Sequence, residues 1–525
     1  MSHHVRCSGI LCHVTSLSGR WGIGDFGNEA YRFVDWLVEA GQSLWQVLPL
    51  GPPGYGESPY QCFSAFAGNP LMIGLDRLVE AGWLSPEELE TAPAFSQSSV
   101  DFEQVRQWRE AKLIAAHTGF QQNASSTQQA EFADFRNQHA WWLEDYALFA
   151  ALKHAHAGRP WPEWEQELVT RQPQALHQAT TSLALEVEQE VFRQFQFDRQ
   201  WRELKEYANA RGIRIMGDVP IFVAHDSADV WAHQHLFSLN EQGQPTVIAG
   251  VPPDYFSVTG QRWGNPLYRW DVMRDEGYGW WISRLRHVLT QVDLLRLDHF
   301  RGFAGYWEIP GESPTAAGGR WLPGPGEAFF RKVLDELGEL PLVAEDLGLI
   351  TPDVEALRDT FKFPGMRILQ FAFGEDPKGS DYQPHNYPHN SVVYTGTHDN
   401  DTTVGWFNSQ AGKGTTRTAE QISEERARVL HYLGTDGSEI HWDMIRMALA
   451  SVADTAILPL QDVLGLGSEA RMNLPGSASD NWRWRYLPGS LTSARAQRMA
   501  ELTALYERLP LNRTQHSPGA TQHAP

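Results

Sequence analysis

The feature that most constrains this chain is a recurrence of eight short apolar runs, separated in most cases by stretches whose apolar residues fall at helical spacing. The runs are Gly9–Thr15, Leu44–Leu50, Ile213–Asp218, Val292–Asp298, Pro341–Glu345, Met366–Phe371, Ser391–Thr395 and Thr455–Leu460. A run that is apolar at successive positions needs cover on both faces, the condition of a strand in a parallel sheet packed under helices. Phe33, Trp36 and Leu37 between the first two runs recur at helical intervals, as does Val354–Phe361 between the fifth and sixth. Eight strands in βα order close on themselves, so the expected fold is α/β, a (β/α)8 TIM barrel.

The rhythm is interrupted by long excursions. A catalytic barrel over 1–510 should carry inserted regions near 51–210, 222–275 and 301–328, the first a mostly helical excursion after the second strand. Helices are expected over Gln104–Thr118, Glu131–His156 and Phe192–Ala210, with Gln121–Gln129 as an exposed connector. The Pro and Gly density of Ala249–Leu267 argues against regular structure there, and its Tyr255, Phe256 and Trp263 suggest a mobile aromatic arm. Asp25 is a candidate N-cap for the first helix, and Ser490 for the final one, Leu491–Tyr506. The tail, 511–525, is rich in Thr, His, Ser, Gly and Pro and is expected to be disordered.

Charge narrows the partners. Lys and Arg total 43 against 64 Asp and Glu, which disfavours nucleic acid. Three cysteines, an odd number, do not form a disulfide framework. The N-terminus is too short and polar for a secretory core, and no window is long and apolar enough to span a membrane, so a cytoplasmic location is expected. Nothing in the pattern points to an obligate protein partner. The 21 tryptophans offer wide surfaces on which the apolar faces of sugars can stack.

Three acids close three of the runs: Asp298, Glu345 and, just past the seventh, Asp399. Barrel enzymes place their chemistry at the C-terminal ends of strands. Taken singly, each acid is as well explained by a surface or capping role; together they point to glycosidic-bond chemistry or a metal site. Cleaving a glycosidic bond needs a proton donor and a carboxylate that attacks or activates water. Arg296, two residues before Asp298, shares its side of the strand and should keep it ionised as nucleophile. Glu345 follows Val-Ala with no adjacent base, which suits a raised pKa and the acid/base role. Asp399, beside His398, would hold substrate hydroxyls and favour the distorted sugar. Asp218 either braces the site or caps the next turn. His299 and His398 are suitable metal ligands, yet H-x-x-E-H, H-E-x-x-H and a Gly-rich phosphate loop are missing from the sequence, and no G-x-G-x-x-G directly follows a strand.

Several motifs carry a resemblance: Gly54–Tyr60 with Ser64–Pro70, Gly217–Ile221, Pro252–Gly264, Arg296–Gly302, Glu345–Gly348, Gly396–Asn400 and Gln461–Gly476. In these the chain, from about Gly9 to Tyr486, resembles glycoside hydrolase family 77 of the alpha-amylase clan, in its compact form. The resemblance implies 4-alpha-glucanotransferase activity by a retaining double displacement on maltooligosaccharides, glucose and other alpha-1,4-glucans, with no metal or organic cofactor. It implies Asp298 as nucleophile, Glu345 as acid/base and Asp399 as transition-state stabiliser. It further implies substrate contacts from Tyr60, Asp218, Trp263, Arg296, His299, His398 and Asn473, with Tyr255 and Phe256 on a loop covering the acceptor side. The rival readings are a retaining alpha-glucan hydrolase with the same triad, a metal-dependent barrel hydrolase and a noncatalytic glucan-binding protein.

Overall fold

The structure, a computed structural model, describes residues 6–253, 259–375, 379–412, 417–477 and 479–510. Twelve strands are formed among them: β1 (Cys7–Leu11), β2 (Leu44–Gln46), β3 (Arg214–Pro220), β4 (Val247–Val251), β5 (Gln261–Pro266), β6 (Leu294–Asp298), β7 (Gly305–Pro310), β8 (Arg320–Pro323), β9 (Leu342–Ala344), β10 (Gly365–Ile368), β11 (Ser391–Tyr394) and β12 (Thr455–Pro459). Eight of these, β1, β2, β3, β6, β9, β10, β11 and β12, pair in parallel in that order, and β12 returns to β1 to close the barrel. Each lies within or against one of the eight apolar runs. All of these strands but β3 are shorter than their runs because the chain bends away toward the mouth: β2 stops at Gln46, and β10 passes into a 3-10 turn, Leu369–Phe371.

Helices cover the outside, as the buried runs require. Asn28–Glu39 turns Phe33, Val34, Trp36 and Leu37 inward, and Ser493–Leu505 packs beside it. Asp25 is not the cap of that first helix. The N-cap is Gly27, whose N–H is taken by Asp25 Oδ1 at 2.9 Å, while Asp25 Oδ2 pairs with the buried Arg109 at 3.1 Å. Similarly Thr492, not Ser490, caps the last helix by accepting the Arg495 N–H. A side chain with two jobs, or one two residues too early, satisfies the same sequence signal.

After β2 the chain runs into a helical layer whose long members are Phe102–Asn123, Ser126–Ala155 and Ala184–Ala210. The expected connector Gln121–Gln129 is overturned, since only Ala124 and Ser125 interrupt the helices. Ser125 and Gln128 form a reciprocal capping box there, so the run of Gln and Ser marks exposure rather than a loop.

The expectation of irregular structure over Ala249–Leu267 is also overturned. β4 and β5 are antiparallel, and with β7 and β8 they make a second sheet in the order β5-β4-β7-β8. Its register shifts at a bulge between Ile248 and Gly250, and a Cβ on Gly250 would stand 2.1 Å from Gln261 O. The glycine read as a breaker is what lets the two backbones approach. Tyr255, Phe256 and 511–525 lie outside the described residues. No described helix is long and apolar enough to cross a membrane.

At the N-terminal end of the barrel two guanidinium groups, Arg508 and Arg6, gather the carbonyls around the closing strands. Arg508, fully buried, donates to Leu449 O (2.8 Å), Cys7 O (2.9 Å), Asp454 O (3.2 Å), Ser451 O (3.1 Å) and Ala453 O (2.8 Å). Burial draws its pKa down to about 10, so it remains charged at neutral pH. It thereby ties the chain's end to β1 and to the entry of β12. Arg508→Met removes all five of these bonds, although Leu449 O and Ser451 O keep the Arg6 guanidinium and Asp454 O keeps the Cys7 N–H, at a cost of about 1–3 kcal/mol. The expected result in urea unfolding is a lowered midpoint, with kcat at 25 °C near wild type because this face lies opposite the chemistry.

Candidate active site

Asp298 is the last residue of β6, and Arg296 lies two residues earlier on the same side of the strand. The expected pair forms: Arg296 Nη2 is 2.8 Å from Asp298 Oδ1. On the neighbouring strand, β3 pairs with β6 and sets Asp218 beside Arg296, which donates from Nη1 to Asp218 Oδ1 and Oδ2 at 2.9 and 2.7 Å. Tyr60, from the loop after β2, donates its hydroxyl to Asp218 Oδ2 at 3.0 Å. Asp218 therefore braces the site. Burial works against the charge on Arg296, yet Asp218 and Asp298 together hold its pKa well above the usual range. One cation serves two carboxylates. Asp298 keeps 28% of its side chain exposed, enough for a ligand to reach it.

Glu345 follows β9 directly and is turned into the barrel mouth. Its carboxylate accepts the His299 N–H at Oε2 (2.7 Å) and the Leu347 N–H at Oε1 (2.8 Å). His299 reaches this position with φ 53°, the left-handed region that a non-glycine residue seldom adopts. Burial pushes the Glu345 pKa up to about 8, with the Asp298 charge adding to it and Arg296 opposing. At neutral pH Glu345 therefore holds its proton, while its neighbour Asp298 is paired with the Arg296 guanidinium. Two carboxyls with opposed surroundings are what acid-assisted nucleophilic attack needs.

Asp399 approaches from the loop beyond β11. Its Oδ1 accepts from Asn473 Nδ2 at 2.6 Å and stands 3.5 Å from His398 Nε2, and 47% of the side chain is exposed. The His398 ring stacks on Tyr60 (centroids 5.1 Å, 17° between planes), and Trp482 packs against both. Burial lowers the pKa of His398 and, more strongly, that of His299 to about 3, so both imidazoles are neutral and able to bond sugar hydroxyls. Trp263 on β5 meets the His299 ring edge to face at 4.8 Å, placing an indole on the Glu345 side.

The structure thus gathers Tyr60, Asp218, Arg296 and Asp298 in one chain of contacts, Glu345, His299 and Trp263 in a second, and Asp399, His398 and Asn473 in a third, with Tyr60 on His398 joining first to third. Trp482, which backs the Tyr60–His398 stack, escaped the sequence reading, and only its place soon after the Gln461–Gly476 motif hinted at it. Among the described residues no group of three or more His, Cys, Asp or Glu is arranged to hold a metal ion.

A family model described as 4-alpha-glucanotransferase matches residues 12–491. A 4-alpha-glucanotransferase from Thermus thermophilus is 52% identical over 512 residues, covering 96% of this chain and 99% of that protein. One from Synechocystis is 50% identical over 507 residues, with 96% and 98% covered. Among solved structures, the amylomaltase from Streptococcus agalactiae in complex with acarbose superposes with a TM-score of 0.91 at 39% identity, over 96% of this chain and all of that one. The amylomaltase from Corynebacterium glutamicum, at 20% identity and a TM-score of 0.77 over 96% of this chain and 74% of that one, shares the fold. Matched by the family model over most of its length and by both relatives from end to end, this chain belongs to the 4-alpha-glucanotransferase family.

Proposed function

We propose that this chain is a 4-alpha-glucanotransferase that moves a segment of an alpha-1,4-glucan to the 4-hydroxyl of glucose, a maltooligosaccharide or another alpha-1,4-glucan. The observation that carries the reading is the unequal pair at the mouth: Glu345 raised to about 8 beside an Asp298 paired at 2.8 Å with the Arg296 guanidinium. Asp298 attacks the anomeric carbon as Glu345 protonates the departing oxygen, leaving a glycosyl ester on Asp298. Esterification removes the Asp298 charge that had helped to raise Glu345, so Glu345 becomes a stronger acid and returns as the base. It then takes the proton of an acceptor hydroxyl, and attack on the same face restores the original configuration. Asp399 holds ring hydroxyls of the flattened, cationic sugar, with Asn473 and His398 fixing its angle.

Transfer rather than hydrolysis requires the acceptor sugar to outcompete water. Trp263, set on His299 beside Glu345, supplies an apolar surface for that sugar, and Tyr255 and Phe256 belong by sequence to the loop expected to cover it. Residues 1–510 form the catalytic unit in this reading, with the insertions near 51–210, 222–275 and 301–328 shaping the mouth and 511–525 as a tail. The side chains described need no cofactor for these steps. Three free thiols suit a cytoplasmic enzyme.

Incubation with maltotriose should give glucose and longer maltooligosaccharides while total reducing ends stay nearly constant; steadily rising reducing ends without longer products would instead indicate a hydrolase. Roles are separable with Glu345→Gln. Transfer from maltotriose should fall by roughly a thousandfold, whereas alpha-maltosyl fluoride, whose leaving group needs no proton, should leave an adduct on Asp298 visible by intact-protein mass spectrometry. Adduct on another residue, or its persistence in Asp298→Asn, contradicts the assignment.

A further inference from the structure

The three carboxylates are not equally supported. Asp298 ends a barrel strand and Glu345 directly follows one, whereas Asp399 stands five residues past Tyr394, the end of β11. Its position is set by loop contacts: its own N–H donates to Thr397 Oγ1 at 3.3 Å, Gln370 Nε2 donates to Asp401 O at 2.9 Å, and further bonds come from the segment Gln461–Gly476, whose motif the mechanism so far uses only for Asn473. Ser468 Oγ donates to Asp401 Oδ2 at 2.7 Å, and Asn473 N donates to His398 O at 3.0 Å. A Cβ on Gly405 would stand 2.4 Å from both Asp401 Oδ1 and Ser468 Oγ, so that junction requires a glycine.

At the centre of this seam is Arg471. Its Nη2 donates to Asp399 O at 2.7 Å and its Nε to Asn473 O at 2.7 Å, spanning the two loops that meet at the Asp399 carboxylate. Burial lowers its pKa, and the nearby charges of Asp401 and Asp399 counter that effect. The rigid fork of a guanidinium fixes the separation of two carbonyls in a way a single ammonium cannot. These bonds of Arg471 go to main-chain carbonyls, so it holds the backbone of Asp399 against that of Asn473.

We infer that Arg471 is a positioning residue for the transition-state stabiliser, setting the place of the Asp399 carboxylate through its backbone carbonyl and that of Asn473. The inference rests on the reading of Asp399 given above. Misplacement of a reacting group by about 1 Å can cost roughly a hundredfold in rate. R471M should therefore lower kcat for maltotriose by tens of fold to a hundredfold with KM changed less than about threefold, because the loss concerns the transition state more than the ground state. R471K, restoring one of the two bonds, should recover part of that rate.

The decisive experiment is a double-mutant cycle with D399N, read as transfer from alpha-maltosyl fluoride to maltose. If Arg471 acts through Asp399, R471M costs little once D399N is present, since the two losses overlap. Equal losses in both backgrounds, or a raised KM at unchanged kcat, overturn the inference in favour of a general structural role. Should R471M fail to fold, the same cycle with R471K decides. Near-normal transfer by D399N itself would overturn the role of Asp399, a failure distinguishable from additivity in the cycle.

Discussion

The arrangement depends on one buried cation. Arg296 is 3% exposed and holds Asp218 with two bonds and Asp298 with a third, so a single guanidinium fixes side chains from two neighbouring strands and, through the Tyr60 hydroxyl, the loop after β2. Removing one partner from a buried pair costs about 3–5 kcal/mol, because the remaining charge is left uncompensated. The same contact has a chemical use. It fixes Asp298 beside Glu345, whose proton is retained by burial and by the Asp298 charge against the opposing charge of Arg296.

From this centre the remaining contacts follow in order of rigidity. Asp218, Arg296 and Asp298 sit on strands paired in register, Met216 with Leu294 through Pro220 with Asp298. Glu345 is held by two backbone donors, one presented by His299 in a left-handed conformation. Asp399 is held by loop against loop. A nucleophile needs fixed direction and an acid needs fixed burial, whereas a group that embraces a changing sugar ring gains from standing at the open edge, where Asp399 is.

How far this could be read from the residues alone depended on the kind of signal. The barrel was readable because each strand is buried on both faces, and burial on both faces writes an uninterrupted apolar run. The Arg296–Asp298 pair was readable because a period of two in one strand is local. The antiparallel sheet of β4, β5, β7 and β8 was not, since its pairing joins segments far apart and its Gly250 bulge carries the same letters as a loop. Asp218 stood undecided between brace and cap because its partner lies 78 residues away on another strand. Arg471 was inside a recognised motif, yet its use of backbone carbonyls leaves no complementary residue type to find.

The most direct test of this account is the pH dependence of kcat/KM for maltotriose transfer, which reports the acid and base of the free enzyme. A Glu345 held near 8 stays protonated and competent through neutral pH; the rate should fall tenfold per pH unit only above about 8. A decline that begins near pH 4.5, the ordinary glutamate value, would contradict the central claim that burial beside the Arg296-paired Asp298 keeps the proton on Glu345.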